Sequence, residues 1–148
     1  RAVGRLLLKR GDAAVTPTHM LILREDYGNL HAFYQDPRQP QHTIHVAFRE
    51  HVTGIEYRLS GVMHREEGPA RLHYGPDGGL FYVEYIVNGN RHRTEGPAII
   101  EYHDNGAFEH VSYYRHGKMH REGGPASAFY SREGGLRAMF YYLNGVHQ

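Results

Sequence analysis

The segment His64-Arg65-Glu66-Glu67-Gly68-Pro69-Ala70 recurs as His92-Arg93-Thr94-Glu95-Gly96-Pro97-Ala98 and again as His120-Arg121-Glu122-Gly123-Gly124-Pro125-Ala126. The interval is 28 residues both times, with no insertion. A fixed period of this length indicates a chain built from one supersecondary unit used several times. We therefore divide it into three units, at 61–88, 89–116 and 117–144, followed by a truncated fourth at 145–148, in which Gln148 stands at the histidine position.

Nine of the 28 positions hold the same residue in all three units. They are Gly61/Gly89/Gly117, His64/His92/His120, Arg65/Arg93/Arg121, Gly68/Gly96/Gly124, Pro69/Pro97/Pro125, Ala70/Ala98/Ala126, Tyr74/Tyr102/Tyr130, Gly78/Gly106/Gly134 and Tyr85/Tyr113/Tyr141. The Gly-Pro step is expected to be architectural, because proline belongs at a strand start or edge and glycine gives the preceding bend its freedom.

Turn residues and alternation predict two strands and two reversals in each unit. Dipeptides such as Asp77-Gly78 and Asn88-Gly89 are strong hairpin signals because tight turns need positive φ. The first strand follows the Gly-Pro-Ala step, and the second runs through 80–87 and its counterpart 136–143. Apolar residues alternate with period two, so we predict an all-β, elongated, twisted antiparallel meander of hairpin units forming one domain.

Residues 1–60 lack the motif but keep part of the 28-residue spacing of alternating segments. Counting back one period gives a degenerate unit at 33–60, with alternating segments 44–48 and 55–59. Residues 1–32 are predicted to form a β cap, with strands at 3–9 and 19–24 and turns at Gly11-Asp12 and Tyr27-Gly28-Asn29. Terminal units of a repeat array are expected to be atypical because they cover an otherwise open end.

Composition excludes several function classes. The net charge is +1, from 17 basic and 16 acidic residues, so nucleic-acid binding is not expected. Without cysteine, thiol chemistry and disulfides are absent, and no cofactor or metal site is predicted. No signal peptide or transmembrane segment is visible, and Arg1 in place of methionine indicates a chain that is processed, truncated or numbered from an arbitrary start. The compartment stays open.

The His-Arg pairs allow two interpretations. They form either a binding row for phosphate, carboxylate or metal, or a structural element. In the second case the arginines lie along tyrosine faces or pair with Glu67 and Glu95, and the histidines donate to loop carbonyls. Neighbouring copies in a two-strand meander lie roughly 9–10 Å apart, too far to share one metal, and this favours the structural interpretation. The row comprises His64, Arg65, His92, Arg93, His120 and Arg121.

A second candidate surface comes from strand parity. Ile86, Tyr114 and Tyr142 are equivalent to one another and opposite in parity to Tyr85, Tyr113 and Tyr141. If one face is the core, these three form an exposed apolar-aromatic stripe of the kind that marks interfaces; alternatively, both faces are covered. Signatures of a catalytic triad, a phosphate-binding loop or a zinc hydrolase are missing, so we predict a protein that is not an enzyme.

The pattern Asn-Gly-x-x-His-Arg-x-x-Gly-Pro-Ala, followed by a strand ending in tyrosine, resembles the MORN-type repeats of the YwqK-like antitoxin-repeat class. More narrowly, it resembles the His-Arg-Glu-Asp-Gly-Pro-Ala variant common in phage and giant-virus proteins, although Glu67, Glu95 and Gly123 replace the aspartate usual there. The resemblance covers residues 57–148 and implies a β-meander used for protein contact or as a scaffold.

Three functions remain open at this stage. The first is a scaffold or assembly module, in a phage structural or accessory protein if viral, and then in the virion or cytoplasm. The second is an inhibitor or antitoxin-like module that docks on one partner enzyme. The third is phosphate or nucleic-acid binding through the arginines of the His-Arg row, with steep salt dependence.

Overall fold

The computed structural model describes residues 20–26 and 28–148. Every regular element in these residues is a β-strand, and ten strands follow one another in an open antiparallel meander. The predicted all-β meander is therefore confirmed. None of the described segments forms a helix that could cross a membrane.

The meander begins with four long strands. These are β1 (Met20–Asp26), β2 (Asn29–Gln35), β3 (His42–Phe48) and β4 (Val52–Leu59), and a short β5 (Val62–Met63) pairs back onto β4. The strands predicted at 44–48 and 55–59 lie within β3 and β4, and β1 overlaps the strand predicted at 19–24. The predicted strand 3–9 and the Gly11-Asp12 turn lie outside the described residues, as does Tyr27.

Each 28-residue unit then adds two strands to the main sheet and one small separate hairpin. The sheet strands are β6 (Arg71–Tyr74), β7 (Leu80–Glu84), β10 (Ile99–Tyr102), β11 (Phe108–Ser112), β14 (Ser127–Tyr130) and β15 (Leu136–Phe140). The hairpins are β8 (Ile86–Val87) with β9 (Asn90–Arg91), β12 (Tyr114–Arg115) with β13 (Lys118–Met119), and β16 (Tyr142–Leu143) with β17 (Val146–His147).

The second strand of each unit is shorter than the sequence predicts. The single strands expected at 80–87 and 136–143 are each interrupted, at Tyr85 and at Tyr141. At this position the Tyr85 N–H donates to Ala98 O of the next unit at 2.7 Å, while the Tyr85 carbonyl accepts the His92 N–H at 3.1 Å. Tyr85 therefore lies at the junction between the sheet strand and the hairpin, and its partners are residues of the next unit.

The hairpins stack on one another through their turns. Asn88 and Gly89 have φ values of +51° and +78°, and the other two hairpin turns have positive φ at both positions as well. This is the two-residue turn that the Asn-Gly pattern predicts. The N–H of the turn glycine then reaches the preceding hairpin: Gly89 donates to Met63 O at 2.9 Å and Gly117 to Arg91 O at 2.8 Å.

Burial is greatest where the long strands meet. Ala32, Tyr34, Val46, Phe48 and Ile55 form a buried cluster on one face of β2, β3 and β4, together with Tyr57. In the units, alanine lets neighbouring backbones approach closely, and Ala70, Ala98 and Ala126 are fully buried.

Candidate functional site

The arginines of the His-Arg pairs lie over tyrosine rings. The distances from guanidinium carbon to ring centroid are 3.9 Å for Arg65 on Tyr57, 3.9 Å for Arg93 on Tyr85 and 4.0 Å for Arg121 on Tyr113. In each case the tyrosine belongs to the preceding unit. A guanidinium in this position is attracted by the negative face of the ring. The contact therefore joins consecutive units.

The same arginines hold the Gly-Pro bend. Arg93 Nη1 donates to the Pro97 carbonyl oxygen at 3.1 Å, and the other two copies do the same at 3.2 Å. Gly96 lies so close that a Cβ there would be 3.0 Å from Arg93 Cζ, and its φ is +118°. Glycine is required at this position both by backbone conformation and by space.

The histidines accept hydrogen bonds from the hairpin turns. The N–H groups of Asn88, His116 and Asn144 donate to Nδ1 of His64, His92 and His120 at 2.8, 3.0 and 3.0 Å. An imidazole that accepts at Nδ1 is neutral and carries its proton on Nε2. Partial burial, together with the nearby His116 and Arg115, lowers the pKa of His92 and favours that neutral form.

These contacts correspond to the structural interpretation of the His-Arg row, with one correction. Of the two alternatives for the arginines, the structure has the tyrosine faces, and the ion pairs among the described residues do not include Glu67 or Glu95. The histidines accept from backbone N–H groups rather than donating to loop carbonyls, because the hairpin turn folds back over the ring. Whether the row also binds a ligand stays a prediction.

The exposed stripe predicted from parity does not form. Ile86 is buried, and Tyr114 and Tyr142 are half-buried. The parity argument assumed a continuous strand through position 85, but the interruption places all three residues on the hairpins. The burial of Ile86 therefore agrees with the alternative interpretation, in which both faces of the strand are covered.

The face of the sheet opposite the buried cluster of Val46 and Ile55 carries a charged network that was not predicted from the sequence. The buried Glu84 carboxylate accepts from Tyr82 and from Arg91 Nε at 3.0 Å, and it pairs with Arg71 at 3.4 Å. Burial and the Glu84 carboxylate raise the pKa of Tyr82. Strand register is the signal that could have predicted this network. Tyr82 and Glu84 point to the same face of the strand, and Arg71 lies directly opposite Glu84 on the neighbouring strand.

Glu56 continues this network onto the neighbouring strand. Glu56 Oε2 lies 3.9 Å from His45 Nδ1 and 2.9 Å from Arg58 Nη2. These two side chains lower the pKa of Glu56 to about 2, although burial by itself would raise it. Arg71 lies between the two carboxylates, with Nε 3.4 Å from Glu56 Oε1. The groups neutralise one another, as expected of a structural network.

A cavity of about 450 Å³ lies between the second and third units. Its lining includes Arg93, Arg115, Arg121, His120 and Glu122. Arg93 and Arg121 are held by the contacts described above, and Arg115 donates to the Thr94 carbonyl at 3.1 Å. Nowhere in residues 20–26 and 28–148 do three His, Asp or Glu side chains cluster as metal ligands.

Exposed apolar side chains are concentrated in the third unit and in the truncated fourth unit that follows it. Seven of the ten large apolar side chains exposed in the described residues lie between positions 129 and 146. They are Phe129, Leu136, Met139, Phe140, Tyr141, Leu143 and Val146. We call this set the third-unit patch. Its signal in the sequence is a change at matched positions: Val83 and Val111 become Met139, while Glu84 and Ser112 become Phe140.

The described residues thus form an open meander whose units are joined by arginine-tyrosine contacts and by stacked hairpins. Comparison of the chain with protein-family models, with curated proteins and with solved structures gives no match.

Proposed function

We propose that this protein is a non-enzymatic protein-protein interaction or scaffold module, and that it contacts its partner through the third-unit patch. The single observation that supports the proposal is the concentration of exposed Phe, Leu, Met, Tyr and Val side chains in that patch, on both faces of β15. Many large apolar side chains exposed close together in the sequence of an otherwise hydrophilic protein are typical of an interaction surface. The aromatic and methionine content of the patch is typical of an interface core.

The internal contacts of the His-Arg row support the same proposal. The arginines stack on tyrosines and hydrogen bond to proline carbonyls, and the histidines accept from turns, so each pair has a structural role without a ligand. We propose in addition that the units are of the MORN type, and that the setting is a phage structural or accessory protein. That part depends on the sequence resemblance alone.

The test compares two matched exposed sites. Met139→Asp combined with Phe140→Asp places charge in the patch, whereas Phe81→Asp places charge on an equally exposed phenylalanine outside it. Light scattering measures self-association, and co-purification measures association with the proteins of the native complex. We expect the patch variant to lose association at least tenfold and the control to keep it. A patch variant that associates like the parent chain would refute the proposal.

The inhibitor-like alternative uses the same surface and differs in its partner, which would be a single enzyme. The phosphate or nucleic-acid alternative has one specific observation in its favour, the cavity lined by Arg93, Arg115 and Arg121. It predicts binding of a phosphorylated ligand that weakens steeply with salt and is reduced by Arg115→Ala. Absence of a gel shift at low salt would remove it.

A further inference from the structure

We infer that the cavity between the second and third units binds a small phosphomonoester that carries hydroxyl groups, such as a sugar or polyol phosphate. None of the residues that line the cavity belongs to the third-unit patch, so this inference goes beyond the proposed interaction function. It also narrows the phosphate alternative to one class of ligand. The class is identified by the charge, the hydrogen-bond donors and the size of the cavity.

Two departures from the repeat meet in this cavity. Arg115 stands where the first and third units have Val87 and Leu143, and Thr94 stands where both have glutamate. Arg115 Nη2 donates to the Thr94 carbonyl oxygen at 3.1 Å, so the two departures are in contact. One adds a positive charge and the other removes a negative charge. Because the other units fold without either residue, the repeat itself does not require them.

The cavity has an excess of positive charge. Three guanidinium groups line it, those of Arg93, Arg115 and Arg121. Its acidic residue is Glu122, and His120 is neutral because its Nδ1 accepts a backbone N–H at 3.0 Å. Three positive charges against one negative charge leave a net charge of +2. A phosphomonoester carries about −1.5 to −2 at pH 7, whereas a phosphodiester carries about −1, so charge complementarity favours the monoester.

The guanidinium donors are held in place before any ligand arrives. Arg93 and Arg121 lie over tyrosine rings at 3.9 and 4.0 Å, and each donates through Nη1 to a proline carbonyl. Within the described residues, the hydrogen bonds of these two arginines and of Arg115 use a single donor of each guanidinium, which leaves several for phosphate oxygens. Guanidinium groups bind phosphate through two parallel hydrogen bonds. Because Arg93 and Arg121 are already ordered, binding costs little side-chain entropy.

Glu122 and the size of the cavity determine the rest of the ligand. Glu122 Oε1 lies 3.7 Å from His120 Nε2, and the Glu122 side chain is 85% exposed. Since a carboxylate only accepts hydrogen bonds, it favours a ligand hydroxyl and repels a second anionic group. The volume of about 450 Å³ is in the range of small-molecule sites. A nucleic acid instead needs a series of phosphate contacts along an extended surface.

The experiment titrates the 148-residue chain with glycerol 3-phosphate in isothermal calorimetry at low salt. Inorganic phosphate, dimethyl phosphate and malate are the comparison ligands. Inorganic phosphate lacks the carbon-bound hydroxyl groups, dimethyl phosphate carries a smaller charge, and malate has two carboxylates in place of the phosphate. We expect glycerol 3-phosphate to bind more tightly than all three. In Glu122→Gln, its advantage over inorganic phosphate should decrease, because the acceptor for the ligand hydroxyl is weakened.

Two further variants use residues that the other units already contain at the same positions, so both should fold. Arg115→Leu and Thr94→Glu should each weaken binding of glycerol 3-phosphate by about tenfold or more. Arg132→Leu is the matched control, because this exposed arginine pairs with Asp104 at 2.8 Å and does not line the cavity. The control should leave binding within about twofold of the parent chain. Circular dichroism checks the fold of each variant.

The outcomes separate this inference from the proposed function. If glycerol 3-phosphate fails to bind, binds no more tightly than malate, or binds Arg115→Leu as it binds the parent chain, the inference is overturned. It is also overturned if an oligonucleotide or a vesicle containing phosphatidic acid binds through Arg115 while glycerol 3-phosphate does not. The chain with Met139→Asp and Phe140→Asp should bind glycerol 3-phosphate like the parent chain, so the two proposals can fail independently.

Discussion

Replacing Arg93 with alanine removes a contact that joins the first and second units. The guanidinium loses its position 3.9 Å from the Tyr85 ring centroid and its hydrogen bond to Pro97 O at 3.1 Å. A cation over an aromatic ring contributes about 0.5–2 kcal/mol, and a hydrogen bond from a charged donor contributes about 1.5–3 kcal/mol. Since Arg93 is partly exposed, the lower halves of both ranges apply, and we expect the free energy of unfolding to fall by about 2–3 kcal/mol.

The assay is urea unfolding followed by circular dichroism and by fluorescence of the 12 tyrosines, since the chain has no tryptophan. In thermal unfolding of a chain of this size, the same loss corresponds to a Tm decrease of about 6–10 °C. Arg132→Ala is the matched control, because that arginine makes an exposed ion pair with Asp104 at 2.8 Å. Such surface pairs contribute at most about 1 kcal/mol.

A double-mutant cycle isolates the stacking itself. Tyr85→Leu removes the aromatic face while keeping an apolar side chain, and the coupling energy with Arg93→Ala should be about 1 kcal/mol. Arg93→Lys keeps the charge but loses the planar donor set, so it should recover only part of the stability. If Arg93→Ala is no more destabilising than Arg132→Ala, or the cycle shows zero coupling, the assignment of this arginine as a link between units is wrong.

Three further predictions concern backbone strain and pH. Gly106→Ala should lower the free energy of unfolding by about 1 kcal/mol, because φ is +84° and the space around the new Cβ is free. Gly96→Ala should lower it by more, because its Cβ would also contact Arg93. Equal losses for the two variants in thermal unfolding would contradict the close contact with Arg93. His116 has φ +49° where the other two units have asparagine, so His116→Asn should raise the Tm slightly, and a decrease would count against this account. Because the pKa of Glu56 is lowered to about 2 from its ordinary 4.5, its stabilisation is complete above about pH 4.5 and is lost as pH falls through 2. This stabilisation amounts to at most about 3 kcal/mol. In Glu56→Gln, the free energy of unfolding should therefore decrease less steeply at acidic pH than in the parent chain.

Much of the fold could be predicted from local signals. The Asn-Gly and Asp-Gly dipeptides predicted reversals, and the positive φ values of Asn88, Gly89 and Gly78 confirm them. Alternation predicted extended segments, and within each unit the short reversal returns the chain beside its predecessor, whereas the segments that join successive units contain the separate hairpins. These features depend on a few adjacent residues, so the sequence displays them directly.

The candidate site was less accessible from the sequence. The period identified the His-Arg pair as a recurring element, but not that Nδ1 of the histidine accepts an N–H from a residue 24 positions later. Parity placed Ile86 on an exposed face because nothing adjacent to Tyr85 signals the interruption there. The Glu84 network and the third-unit patch likewise depend on which strand lies alongside, information that one segment by itself does not contain.

The sequence by itself determined the 28-residue period, the positions of the turns and the antiparallel meander, because backbone geometry at glycine, asparagine and proline is a local property. Only the tertiary structure decided that Arg93 stacks on Tyr85, that Glu84 is buried and that Met139 and Phe140 are exposed. The physical reason is that burial depends on the neighbouring unit. Val83, Val111 and Met139 occupy one position of the period, and a following strand pairs beside the first two, whereas none of the described strands pairs beside the third on that side.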